Sequence, residues 1–247
     1  MSVCLGESST PANTRFYAIG DVHGYKNLLE SMVNKIVDDL MARPVHAHKI
    51  IFIGDYIDRG PDSSGCVSYL IDLMNRDENV LCLKGNHEAK LENFLNDPIS
   101  FAHSFFTYGG TECAESYGVN MSSYQGTEKQ TLEIADQLNH SITAAHRQFY
   151  KHLPISITLG DYFFTHAGIR PNVSLANQTD QDLMTIRSEF LSHTDLHEKI
   201  IVHGHTPTHP MEVFPNRINV DTHAYHTGVL SCIVLEGRDY KTIEATH

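Results

Sequence analysis

The chain has 247 residues, 41% hydrophobic and 19% charged, with a formal net charge of −12; this is globular composition with ample material for a core. The negative balance argues against nonspecific adhesion to nucleic acid or acidic membrane surfaces, and no apolar run approaches spanning length. Five scattered cysteines (Cys4, Cys66, Cys82, Cys113, Cys232) without a CxxC pair, and an N-terminus without signal-peptide character, point away from a disulfide framework or structural zinc and toward the cytoplasm.

In chain order, residues 1–14, rich in Ser, Thr and Pro, read as a loose arm, with a single domain over 15–247. Arg15–Ile19 is a predicted strand. Leu28, Leu29, Met32, Val33, Ile36, Val37 and Leu40 recur at helical spacing, and Pro44 closes that helix. Lys49–Ile53 is the second strand. A helix with Val67, Leu70, Ile71 and Met74 follows, capped by Asp62 or Ser63, and Val80–Leu83 is the third strand. Strands alternating with helices predict a parallel sheet whose carboxyl-end loops gather on one edge.

Residues 98–152 lack ligand-type motifs and read as a helical cap. Phe101, Phe105, Phe106 and Tyr108 are packing residues on that reading, with one or two lining a cleft as the alternative. Ile155–Leu159 and Tyr162–Thr165 flank Gly160-Asp161 as a hairpin. A helix over Asp182–Leu191 and a strand over Lys199–Val202 come next. Asn216–Val220, Val229–Leu235 and Arg238–Ile243 are predicted to complete an antiparallel sheet.

The chemistry lies where apolar strands end. The first runs into Asp21 and His23, the second into Asp55, Asp58 and Arg59, the third into Asn86 and His87. Gly-Asp and Gly-Asn are ordinary turn signals. Three such loops in order, each after an apolar strand, instead indicate one site. Carboxylate, amide and imidazole donors suit divalent metals of intermediate hardness. A carboxylate such as Asp55 can bridge two ions about 3.5–4 Å apart.

GDVHG (20–24), GDYIDRG (54–60), GNHE (85–88), HAG (166–168) and HGHTP (203–207) together resemble the calcineurin-like metallophosphoesterase superfamily. Within it they are most similar to the phosphoprotein phosphatase branch, in its compact bacterial and phage lambda-type form. The resemblance implies an α/β (α+β) four-layer αββα sandwich of two mixed sheets flanked by helices. It implies one divalent ion on Asp21, His23 and Asp55 and a second on Asp55, Asn86, His166 and His205; Mn²⁺ is the first expectation, with Fe, Zn or Ni as alternatives. By the same resemblance Arg59 and Arg187 bind the phosphoryl group, although Arg187 lacks the Trp that usually precedes it. His87 is the expected general acid, oriented by Asp58, and His203 and Tyr225 are expected cleft residues.

The implied reaction is hydrolysis of a phosphomonoester by direct attack of a hydroxide shared between the ions. The expected substrate is phosphoserine or phosphothreonine on a protein or peptide, with phosphotyrosine as a further one. The alternative is a diadenosine tetraphosphatase-like hydrolase of dinucleoside polyphosphates. Glu88 is read against it, since those enzymes typically carry GNHD. No Cys-x5-Arg loop supports a cysteine phosphatase, and a silent phosphate binder would have lost a ligand that this chain retains. DTHAYHTG (221–228) departs from the DTGAYYTG-like run of bacterial relatives at His223 and His226, which is either a changed cleft wall and pH response or a tolerated loop change. His46, His48, His140, His146, His152, His193 and His197 read as surface histidines.

Overall fold

The computed structural model describes residues 2–246. Thr14–Ile19 (β1), Ala47–Phe52 (β2) and Val80–Cys82 (β3) pair in parallel in that order, Ile19 facing Phe52 and Phe52 facing Cys82. The helices Lys26–Ala42 (α1) and Ser63–Arg76 (α2) make the crossovers. These strands read as unbroken apolar runs because both faces are covered. Tyr17, Ile19 and Phe52 pack toward the helices, while Phe16, Ala18, Ile51 and Ile53 enter a second core between two sheets. On α1 the buried set is Leu28, Leu29, Met32, Val33 and Ile36; Val37, expected on that face, is exposed.

The second sheet contains Ser156–Leu159 (β4), Tyr162–Thr165 (β5), Ile200–His203 (β6), Glu212–Val213 (β7) and Arg217–Asn219 (β8), in the order β4-β5-β6-β8-β7. The hairpin at Gly160-Asp161 forms as expected. Of the expected antiparallel sheet of the C-terminal half, only the pairing of Val229–Leu235 with the strand that follows it forms. β5, β6 and β8 run parallel, while Val229–Glu236 (β9) and Asp239–Thr246 (β10) cross to the first sheet, β9 pairing antiparallel with β1. Ile233 and Leu235 therefore face the inter-sheet core with Tyr162, Phe164, Ile200, Val202 and Ile218. Helices on the outer faces complete four layers.

The cap comprises Asn86–Asn96 (α3) running into Pro98–Thr107 (α4), Gly110–Ser116 (α5), Glu128–Ser141 (α6) and Ala144–His152 (α7). Phe105, Cys113, Ile134, Leu138 and Phe149 join the same core cluster as Leu29 and Phe52, so the cap shares a core with the first sheet. The N-terminal arm is not loose. Val3 N–H donates to His197 O and Leu5 N–H to Pro215 O, and Ser8 and Thr10 are buried.

Two histidines read as surface residues are internal. His146 has Ser68 Oγ at one ring nitrogen and Tyr117 OH at the other, and His197 lies between the rings of Phe190 and His193. All five cysteines are free. Among the described residues no helix is long and apolar enough to cross a membrane.

Candidate active site

Parallel pairing brings the carboxyl ends of β1, β2 and β3 to one edge, and the ends of β5, β6 and β8 meet them there. Asp21, Asp55 and Asn86 follow the first three strands; His166, His205 and Asp221 follow the others. All six are buried. Close backbone approach makes this convergence possible: a Cβ on Gly204 would lie 2.3 Å from Asp21 Oδ1. The local conformation is strained. Of eight non-glycine residues with positive φ among the described residues, six are His23, Asp55, Asp58, Arg59, His205 and His223, all in these loops. Such backbone persists only where surrounding structure enforces it.

The enforcing group beneath Asp55 is Glu88. Its buried carboxylate accepts the backbone N–H of Asp55 (3.0 Å), Tyr56 (2.8 Å) and Gly85 (2.9 Å). Burial, with Asp55 adding to it, pushes Glu88 up to about 7.

The ligand-type side chains are oriented from behind. His23 Nδ1 donates to Ile57 O at 2.9 Å and His166 Nδ1 to Ile53 O at 3.0 Å, so both Nε2 atoms face Asp55. Asp55 Oδ2 lies 3.7 Å from His23 Nε2, 3.7 Å from His87 Nε2 and 3.3 Å from His166 Nε2. Asn86 Oδ1 is 2.9 Å from His166 Nε2, and His205 N–H donates to Asp21 Oδ2 at 3.2 Å. Donor atoms of His23, Asp55 and His87 lie within 4.8 Å of one another, as do those of Asp55, His166 and His205. Asp55 belongs to both groups.

Burial raises Asp21 well above the usual carboxylate range, with Asp221 and Asp55 adding to it, and raises Asp221 to about 6. Burial also lowers His23 to about 4 and His205 to about 2. A buried set of carboxylate, amide and imidazole donors, with carboxylates crowded against each other, fits divalent cations.

Beside this cluster, His87 Nδ1 meets Asp58 Oδ2 at 2.6 Å, and Arg59 Nη2 lies 3.4 Å from His87 Nε2. Arg59 stacks over Tyr225, its Cζ 4.3 Å from the ring centroid; Tyr225 is edge-on to His23. The expected helix over Asp182–Leu191 is two pieces, Asp180–Thr185 (α8) and Ser188–Leu191 (α9). Arg187 sits at the break with φ −133° and ψ −98°. That break turns Arg187 toward a cavity of about 220 Å³ whose walls include Asp21, Asp55, His87, Arg59 and His205. A model of the calcineurin-like phosphoesterases matches residues 14–233.

The chain belongs to the calcineurin-like phosphoesterase family.

Curated relatives of this phosphoesterase include the bis(5'-nucleosyl)-tetraphosphatase PrpE [asymmetrical] of Anoxybacillus flavithermus, 24% identical over 87% of this chain and 88% of that protein. Similar folds include a candidate diadenosine tetraphosphatase (TM-score 0.61, 19% identity, 95% of this chain and 99% of that one). A protein serine/threonine phosphatase from Saccharomyces cerevisiae also shares the fold (TM-score 0.54, 14% identity, 98% and 85%). The phosphoesterase is thus a hydrolase of the metallophosphoesterase type with the expected α/β sandwich.

One expected cleft residue is elsewhere. His203 is fully buried behind the site, edge-on to Phe190 at 4.9 Å, with Nδ1 against Gly204 O and, among the described residues, no partner at Nε2. Side chains alternate along β6, so Val202 enters the inter-sheet core and His203 points to the opposite face. Three residues around the cavity were not assigned from sequence, Asp221, Lys90 and Thr185; Tyr108, also in its wall, follows the alternative reading of the cap aromatics. Asp221 carried the same signal as Asp21, an acid just past a strand. Lys90 follows His87 by three on one helix, a spacing that shares a face.

His223 has φ +64°, and its ring lies 5.1 Å from that of His226. The left-handed backbone accounts for the glycine of the run it departs from.

Proposed function

We propose that this phosphoesterase hydrolyses the phosphoanhydride chain of dinucleoside polyphosphates. The observation that carries this reading is charge. Arg59, Lys90 and Arg187 all line the cavity, and among the described residues none has a carboxylate within ion-pair distance. A chain with net charge −12 that leaves three cations unpaired around one cavity is built for a polyanion. Relatedness to a bis(5'-nucleosyl)-tetraphosphatase over 87% of the chain supports the same class. Glu88, the residue read against it, holds backbone amides beneath the site and is not among the residues lining the cavity. Its identity therefore carries little weight on substrate choice.

Asp21, His23, Asp55, Asn86, His166 and His205 would hold two divalent ions, Mn²⁺ being the first candidate. Bound there, the ions would supply Lewis-acid polarisation at phosphorus. Arg59 and Arg187 orient the reacting phosphoryl group through guanidinium hydrogen bonds. His87 serves the leaving oxygen. Its Nδ1–H is committed to Asp58, which fixes the ring and stabilises the imidazolium. Burial holds His87 well below its usual range, only partly opposed by Asp55, and Arg59 Nη2 faces the unprotonated Nε2. As Arg59 turns to the phosphoryl oxygens, Nε2 is free to take a proton from solvent and pass it to the leaving oxygen, which returns the ring to its neutral form.

A second reading, a phosphoprotein phosphatase acting on phosphoserine, phosphothreonine or phosphotyrosine, is favoured by the DRG and GNHE motifs. Metal-loaded protein given diadenosine tetraphosphate and phosphopeptides in parallel separates the two. The first reading expects nucleotide release with kcat/KM at least about tenfold above orthophosphate release from any peptide. The reverse order would overturn it in favour of the second.

A further inference from the structure

We propose that Lys90 and Tyr108 form a subsite for a second phosphoryl group, adjoining the one that His87 and Arg59 serve; this rests on the polyphosphate reading. Lys90 and His87 leave the same face of α3 three residues apart, which places their Cβ atoms about 5–6 Å from each other. The Lys90 ammonium lies 4.0 Å from the centroid of the Tyr108 ring. Tyr108 caps the C-terminal end of α4, is 49% exposed and lines the same cavity. One wall of the cavity therefore belongs to the cap and carries a cation on an aromatic face.

An ordinary helix-surface lysine is solvated or paired with a carboxylate. Lys90 is partly buried and, among the described residues, the Tyr108 ring is the partner its ammonium has. A ring holds an ammonium in place without neutralising it, so the charge stays available to a ligand. Burial draws Lys90 below its usual range, with Arg59 and Arg187 acting in the same direction and Asp55 and Asp58 against it. An anion at this point would offset both the lost hydration and the repulsion. The phosphoryl group at Arg59 and His87 does not need Lys90; a second phosphoryl along the same chain does.

The test compares two ligands that differ by one phosphoryl group. AMP and ADP are used as competitive inhibitors of p-nitrophenyl phosphate hydrolysis by the metal-loaded protein, with metal in excess. The wild type is expected to hold ADP about tenfold or more tightly than AMP, the ratio that one charge-assisted contact supports. Lys90→Gln should bring that ratio to about one to two, with Lys90→Arg and Tyr108→Phe keeping most of it and Tyr108→Ala losing part. A ratio near one in the wild type, or a wild-type ratio in Lys90→Gln, would overturn the subsite. Lys90-dependent discrimination in a protein that leaves diadenosine tetraphosphate intact would uphold the subsite and remove the substrate reading instead.

Discussion

Glu88 shows how one side chain can set the shape of a site without lining its cavity. Three buried backbone N–H groups converge on its carboxylate, two of them in the loop that presents Asp55 at positive φ. Orphaning buried donors costs about 1–3 kcal/mol each. Glu88→Ala is therefore expected to lose about 3–5 kcal/mol in urea unfolding; a loss below about 1 kcal/mol would show that water replaces the carboxylate. At this scale the sequence was most legible where polarity interrupts an apolar strand, as at Asp21, Asp55 and Asn86. Residues that act through helix geometry or backbone contact, such as Lys90 and Glu88, show no such contrast with their neighbours. The positive φ at Arg59 was hidden as well, since arginine does not advertise a turn.

At the scale of elements, the first three strands and their crossovers could be read because each apolar run is bounded by glycine and followed by an amphipathic helix. β9 and β10 were also visible as strands, but not their partners. Alternation tells which face is buried and leaves the neighbouring strand undetermined. Within the cap, residues 128–152 hold two helices, because Ile142 and Thr143 adopt extended backbone between α6 and α7. Thr143 Oγ1 accepts the N–H of His146 as the cap of α7. Thr143→Ala should cost about 1 kcal/mol of stability and leave hydrolysis unchanged, as checked by thermal unfolding alongside an assay. No change in stability would mean that packing of Phe149 and Tyr150 alone fixes the helix start.

Across the whole molecule, an ionic cluster ties the first sheet to α1 far from the site. Arg15, 2% exposed, bonds Glu236 on β9 and Asp39 on α1, and Arg43 and Lys241 join Asp39. Burial opposes the charge on Asp39, but hydrogen bonds from Arg43, Lys241 and Tyr17 outweigh it and hold Asp39 well below the usual carboxylate range. An unfolded aspartate titrates at about 3.9. The depressed folded value means that the stability from this cluster is complete above that pH and is lost as pH falls through the folded one. Asp39→Asn should flatten the fall in Tm below about pH 4; an unaltered acid slope would assign the acid sensitivity to other carboxylates.

The central claim is that six buried side chains from five strand-end loops hold a pair of divalent ions that share Asp55. Elemental analysis of protein loaded with Mn²⁺ and then dialysed tests it most directly, wild type against Asp55→Asn. The prediction is about two ions per chain in the wild type and fewer than about one in the variant, with phosphate-ester hydrolysis falling about a hundredfold or more. A wild type that retains no ion, or a variant that retains as many as the wild type, would contradict it.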